Sequence, residues 1–187
     1  MKNMMNTSVN LLSIILIFLL FSCATTQQKE GESGNAQFYV NRGDAYYGKR
    51  QFDQAISDYN KALEINPRNA KVYNNRGFAY YGKGEYDQAI SDYNKALEID
   101  PKYVLPYGNR GLAYQGKGEY DKAISDFTTA IEIAPSARDV YYYRGYVYYL
   151  QKGYDKAWED VKMAQALGYK IPPEFLEELQ KTSGREK

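Results

Sequence analysis

A period of 34 residues constrains this chain more than any other feature. Gly43, Gly77, Gly111 and Gly145 keep that spacing, and so do Arg42, Arg76, Arg110 and Arg144. Ala55, Ala89, Ala123 and Ala157 follow it, as do Pro67, Pro101 and Pro135. Several residue types that stay in phase over four copies describe one structural unit repeated. A unit of this length cannot bury its apolar face alone, so the copies must stack and grow by nearest-neighbour packing.

The local pattern specifies the unit. Tyr73, Gly77 and Tyr80 lie at i, i+4 and i+7, one face of a helix, and Ala89, Tyr93 and Ala96 repeat the spacing. Gly82 and Gly84 are expected to break the chain between the two helices. Asp87 is expected at the second helix start, where it suits the dipole and the free amides. Pro101 should end that helix, because the residue before proline avoids the α region. A glycine inside a helix costs about 1 kcal/mol relative to alanine, so the recurrent Gly77 position predicts close helix contact, with Ala89 opposite.

Tyrosine accounts for 21 residues, and most of these fall in rows that are expected to be core. The rows are Tyr39, Tyr73, Tyr107 and Tyr141; Tyr46, Tyr80, Tyr114 and Tyr148; Phe52, Tyr86, Tyr120 and Tyr154; and Tyr59, Tyr93 and Phe127. The Arg row recurs with Asp58, Asp92, Asp126 and Asp160, which predicts Arg–Asp pairs within or between hairpins. The alternative is two solvated faces whose pairs contribute about 0–1 kcal/mol each.

The unit Tyr73-x2-Arg76-Gly77-x2-Tyr80, then Ala89-x3-Tyr93, Ala96 and Pro101, resembles the tetratricopeptide repeat (TPR) in period and pattern. Arg stands where Leu is usual, and Tyr fills the aromatic positions. The resemblance implies an all-α solenoid of about four helix-turn-helix units, at 36–69, 70–103, 104–137 and 138–171. The fourth is degenerate, with Val161 for the aromatic and Gly168-Tyr169 where proline is expected. Residues 172–187 then supply a capping helix, expected over Glu174–Lys181, and a tail from Thr182.

The resemblance also implies that the first helix of each unit lines a concave groove that takes peptides. Its groove positions include Asn41 and Tyr47 in the first unit, and Asn74, Asn75, Phe78 and Tyr81 in the second. Asn109 and Leu112 follow in the third, and Tyr142, Tyr146 and Tyr149 in the fourth. Val40, Asp44 and Gln115 occupy further positions of this kind. Phe78, Leu112 and Tyr146 are expected side by side, and Asn41, Asn75 and Asn109 as a parallel amide row. One TPR subclass grips a C-terminal carboxylate with Lys, Asn and Arg. The corresponding positions here are Val40, Asp44, Asn75, Leu105 and Asn109, of which only Asn75 matches.

The N-terminus carries an address. Lys2 is the only charge before residue 29, and an apolar run extends from Val9 to Phe21. Thirteen helical residues span about 20 Å, short of the roughly 30 Å hydrocarbon core, which favours a signal-peptide segment. Leu20-Phe21-Ser22-Cys23-Ala24 resembles a bacterial lipobox, from which Phe21 departs. The resemblance implies removal of 1–22, lipidation of Cys23 and a flexible linker over 23–35. Ordinary cleavage after Ala24 is the alternative. No Asp follows Cys23, so the expected location is the bacterial cell envelope, at an outer membrane facing the periplasm. A secreted or periplasmic soluble protein is the alternative.

Composition narrows the function. Lys and Arg number 24 against 23 Asp and Glu, so no basic field advertises nucleic acid. His is absent and Cys occurs once, which removes imidazole chemistry and Cys-rich metal sites. Gly82-Lys83-Gly84 lacks a phosphate-loop pattern. No cofactor, no metal and no enzymatic activity are expected. The expected function is a membrane-tethered scaffold that holds a protein or peptide partner in the groove, in a narrower version an envelope assembly factor. A cell-wall glycan-binding protein, with Tyr142, Tyr146 and Tyr149 stacked on sugar rings, is one alternative. A soluble self-associating array is another.

Overall fold

The computed structural model describes residues 36–184, and within them the chain forms nine helices and no strand. The apolar run, Cys23 and the linker lie outside the described residues. Helix α1 covers 36–48, followed by α2 (Phe52–Ile65), α3 (Ala70–Gly82), α4 (Tyr86–Ile99) and α5 (Val104–Gly116). Then come α6 (Tyr120–Ile133), α7 (Arg138–Leu150), α8 (Tyr154–Ala166) and α9 (Pro173–Ser183). From α2 to α9 each helix packs on its neighbours in sequence, and α1 joins α2 through Arg42–Asp58 and the Val40–Tyr59 core. In addition α3 meets α5 and α5 meets α7, whereas α2, α4, α6 and α8 make at most marginal contact with one another. Closer approach among the first helices puts them on the inside of the curve.

The breaks follow local chemistry. Asp100, before Pro101, is extended at φ −136°, and α4 stops at Ile99. Gly84 takes φ +79° at the turn. Arg50 and Lys152 hold the same turn position at φ 58° and 61°, at a cost of about 1 kcal/mol each. Gly82 is not a breaker. It is the last residue of α3, where a Cβ would sit 2.7 Å from the Phe52 ring of the preceding pair. Asp87 does lie in the first turn of α4, but it caps no amide and instead meets Lys117 of the next pair at 2.6 Å. Lys83 reaches Asp53 in the same way at 2.7 Å, and Gln151 donates to Asp121 at 2.8 Å.

The aromatic rows separate by burial. Tyr59, Tyr93 and Phe127 are exposed by 1% or less and form the true core row. Each ring crosses beneath the helical glycine of its pair: a Cβ on Gly77 would stand 2.8 Å from Tyr93 Cε1 and 3.1 Å from the Ala89 carbonyl oxygen. The partner that demands glycine is therefore chiefly the ring. The other rows are half-buried, apart from buried Tyr141, and one of them carries a cation at every position. The guanidinium groups of Arg42, Arg76, Arg110 and Arg144 lie 5.5, 5.4, 5.6 and 5.8 Å from the ring centres of Tyr39, Tyr73, Tyr107 and Tyr141.

All four Arg–Asp pairs form, and all are two-pronged. Arg76 donates from Nε and Nη2 to Asp92 at 2.7 and 2.6 Å. Arg42, Arg110 and Arg144 hold Asp58, Asp126 and Asp160 at 2.6–2.8 Å. These carboxylates are at most 6% exposed, so the solvated-face alternative fails. The remaining Nη1 reaches back to the preceding pair. Arg76 donates to Asn60 at 2.6 Å, Arg110 to Asn94 at 2.5 Å and Arg144 to Thr128 at 3.0 Å. Each of these three arginines thus pins its own second helix and the one before it. Burial pushes the Asp92 carboxyl above its ordinary value, and Arg76 opposes that shift.

The capping helix is longer than its expected span. Pro173 opens it, Gly184 closes it at φ 66°, and Ser183 Oγ accepts from Trp158 Nε1 at 3.0 Å. Two expectations follow from the packing. Arg76→Ala should destabilise by about 3 kcal/mol, because a buried carboxylate loses its partner, and a double cycle with Asp92→Ala should show coupling of about 2 kcal/mol. Tyr59 donates to Asp44 at 2.7 Å, whereas the buried Tyr93 hydroxyl finds no hydrogen-bond partner. In urea melts Tyr59→Phe should therefore cost about 1–2 kcal/mol, and Tyr93→Phe should be neutral or stabilising.

Candidate functional site

The inner face of α1, α3, α5 and α7 carries two cross-helix systems. The first is aromatic. Tyr47 of α1 stacks on Phe78 of α3 with ring centres 5.1 Å apart and planes at 26°. Phe78 stacks in turn with Tyr81 at 6.2 Å and 8°. Phe52 and Tyr86, at the starts of α2 and α4, brace the ends at 5.6 Å each. Burial raises the Tyr47 and Tyr81 phenols above their ordinary value, so both are protonated hydroxyl groups at neutral pH.

The second system is polar. Asn109 Nδ2 donates to Asn74 Oδ1 at 2.9 Å, Asn74 Nδ2 to Asn75 Oδ1 at 3.4 Å, and Asn75 Nδ2 to Asp44 Oδ1 at 3.0 Å. The Tyr59 hydroxyl donates to the same Asp44 oxygen. Each link of this ladder donates in the direction of Asp44. The ladder differs from the expected parallel row. Asn41 accepts from Gln37 Nε2 at 2.7 Å on its own helix, and Asn109 bonds to Asn74 rather than to Asn75. The reason is that Asn74 is 5% exposed and sits between α3 and α5, where it meets Asn109 first. Val40 is likewise buried, so it lines no open surface.

The fourth pair is arranged differently. Tyr142, Tyr146 and Tyr149 are brought together, and all three meet Phe175 of α9, at 5.8, 5.3 and 5.5 Å between ring centres. Tyr142 also stacks on Tyr169 at 5.0 Å, and the Tyr149 hydroxyl donates to Glu178 at 2.7 Å. That bond, ahead of burial, raises the Tyr149 phenol. The chain's own cap thus engages this cluster. Leu112 is half-buried against the core of the third pair, between the two aromatic groups.

Sequence reasoning placed Asp44 in the groove but not at the end of an amide ladder. It stands in phase with Phe78, Leu112 and Tyr146, one acid in an otherwise apolar row, and that mismatch was the available signal. The contact of Phe175 with three tyrosines was not anticipated, because Phe175 lies on a helix outside the four repeat units read from the sequence. Among the described residues no group of His, Cys, Asp or Glu is arranged to hold a metal ion.

The tetratricopeptide repeat model matches residues 70–103 and 104–137, and a second TPR repeat model matches 43–84. No curated protein matches the chain. Among solved structures, the TPR domain of Arabidopsis OM64 is 28% identical with a TM-score of 0.61, over 62% of this chain and 96% of that one. MamA is 26% identical with a TM-score of 0.68, over 80% and 83% of the two chains. The first TPR of Spaghetti (RPAP3), solved bound to the HSP90 peptide SRMEEVD, is 24% identical with a TM-score of 0.62, over 64% and 95%, a likeness of fold. The matched models together span more than half of the 187 residues, and the chain belongs to the tetratricopeptide-repeat family.

Proposed function

We propose that this protein is a membrane-tethered interaction scaffold that holds a segment of a protein partner along the inner face of α1, α3 and α5. The observation that carries the reading is the aromatic ledge of Tyr47, Phe78 and Tyr81 beside the amide ladder ending on Asp44. Aromatic anchors next to directed polar groups are what a peptide with one or two apolar residues needs. The fold is one that accommodates such a segment, as in the RPAP3 domain with its bound peptide. Tyr142, Tyr146 and Tyr149 face Phe175, so the first three pairs carry the open part of the surface.

The tether rests on the sequence. Leu20-Phe21-Ser22-Cys23 follows an apolar run of signal-peptide length, and lipid chains hold a protein at a membrane without a polybasic patch. The narrower reading is an assembly factor of a bacterial envelope, anchored at the outer membrane.

Two experiments test this function. Crosslinking mass spectrometry in the native cell should find one protein joined to residues 71–82, and Phe78→Ala should lose it while keeping its melting temperature within a few degrees. An unchanged partner set in Phe78→Ala would remove the groove reading. Separately, metabolic labelling with a fatty-acid analogue should mark the wild type and not Cys23→Ser, and the variant should leave the membrane fraction. A soluble, unlabelled wild type would remove the tether and leave ordinary cleavage.

A further inference from the structure

The groove reading leaves open what kind of segment enters, and Asp44 bears on that question. In the carboxylate-gripping subclass this position belongs to a donor that meets a peptide's C-terminal carboxylate. Here it is itself a carboxylate, and the neighbouring amide has been turned to serve it. Asn75 Nδ2 and the Tyr59 hydroxyl both donate to Oδ1, at 3.0 and 2.7 Å. Oδ2 takes no hydrogen bond, and Asp44 forms no ion pair, among the described residues. The side chain is exposed on the inner face. Two donors on one oxygen fix the carboxylate and leave the other oxygen presented.

The surroundings suit a cation. Tyr47 follows Asp44 by three residues on α1, and Phe78 follows Asn75 by three on α3, so both lie one turn along the same face. The Asp44–Asn75 bond and the Tyr47–Phe78 stack at 5.1 Å are thus successive rungs between the same two helices. A carboxylate oxygen beside an apolar aromatic ledge is an arrangement that an arginine with apolar neighbours fits, the guanidinium fork donating to the oxygen while the neighbours cover the rings. The chain's own nearby cations form no ion pair with Asp44 among the described residues, although Arg50 sits at the Phe52 end of the ledge. Arg50 lies over Phe52 at 5.7 Å, and Lys71, one turn before Asn75, makes no ion pair with Asp44 among the described residues. The Tyr93 hydroxyl, closed off near Tyr47 and Tyr81, is a second polar atom in this neighbourhood without a partner.

We infer that the Asp44 end of the groove selects a partner segment carrying an arginine next to apolar residues, and disfavours acidic tails. This rests on the groove reading and specifies its ligand. The test is fluorescence polarisation of the full chain with three labelled nonapeptides of leucine, alanine and glycine, which differ only in a central Arg, Gln or Glu. The Arg peptide should bind about tenfold tighter than the Gln peptide at low salt, with Glu the weakest. The gap should close in Asp44→Asn, and Asp44→Lys should favour Glu, with melting curves confirming that both variants fold. Equal binding of Arg and Gln peptides, a preference for Glu, or a gap that survives in Asp44→Asn overturns the inference. If Phe78→Ala then weakens all three peptides alike, the groove reading stands without it. Failure of all three to bind also rejects the inference, and the crosslinking of Phe78→Ala decides the groove reading separately.

Discussion

The contact on which the rest of the structure depends is the three-way grip of each internal arginine. A stacked array has no central core to set the position of its units, so alignment must be fixed at every interface. Arg76 does this by holding Asp92 in its own pair and Asn60 in the pair before, from one rigid guanidinium. Arg110 and Arg144 repeat the arrangement with Asn94 and Thr128. The planar fork suits the task because its donors point in fixed directions, so a small slip between pairs breaks a bond that apolar packing would tolerate. The Tyr beneath each guanidinium supports it from the ring face. Buried ion pairs are poor sources of net stability, and register is the role that this geometry serves.

Register matters because the inner face is assembled from residues of different pairs. The Tyr47–Phe78 stack and the Asn75–Asp44 bond both cross from α1 to α3, and Asn109–Asn74 crosses from α5 to α3. None of these exists within a single unit. The core row and the inner face are also linked through the helical glycine. Tyr59 crosses beneath Gly43 and its hydroxyl reaches Asp44, the next residue. In the second pair Phe78 replaces the acceptor and leaves the Tyr93 hydroxyl alone; in the third, Leu112 goes with Phe127, which has no hydroxyl to satisfy. Variation on the surface therefore reaches the core at these positions, and the second pair holds the mismatch.

The 34-residue phase made the helical pairs legible, since one period set glycine, proline and the ion-pair partners together. The Arg76–Asp92 contact could be anticipated because both residues recur at a fixed separation. Burial was less legible. A tyrosine in phase looks the same whether it fills a core, as Tyr93 does, or supports a cation from a half-buried position, as Tyr73 does. Gly82 and Gly84 are two residues apart, yet one is helical for closeness to Phe52 and the other turns at positive φ. Periodicity reports that a residue type is needed and not which neighbour needs it. The amide ladder was least legible, because the pairing of Asn109 with Asn74 depends on a buried side chain between helices.

The repeat pattern changes at α9. Helix α9 falls where the first helix of a fifth pair would, one period after α7. Glu178 then occupies the place of Arg144, and Leu179 that of Gly145. Among the described residues no second helix packs beside α9, and both exchanges go with that. Among the described residues no carboxylate is placed for an arginine at this point to grip, and no ring crosses beneath it that would call for a glycine. Leu179 instead buries its own side chain in the core of the last pair, and Glu178 accepts the Tyr149 hydroxyl. The signature residues of the array are thus absent from a first helix that has no second helix beside it among the described residues. That makes them properties of the pair, and it explains why the fourth cluster of aromatics is met by Phe175 while the first remains open along its ledge.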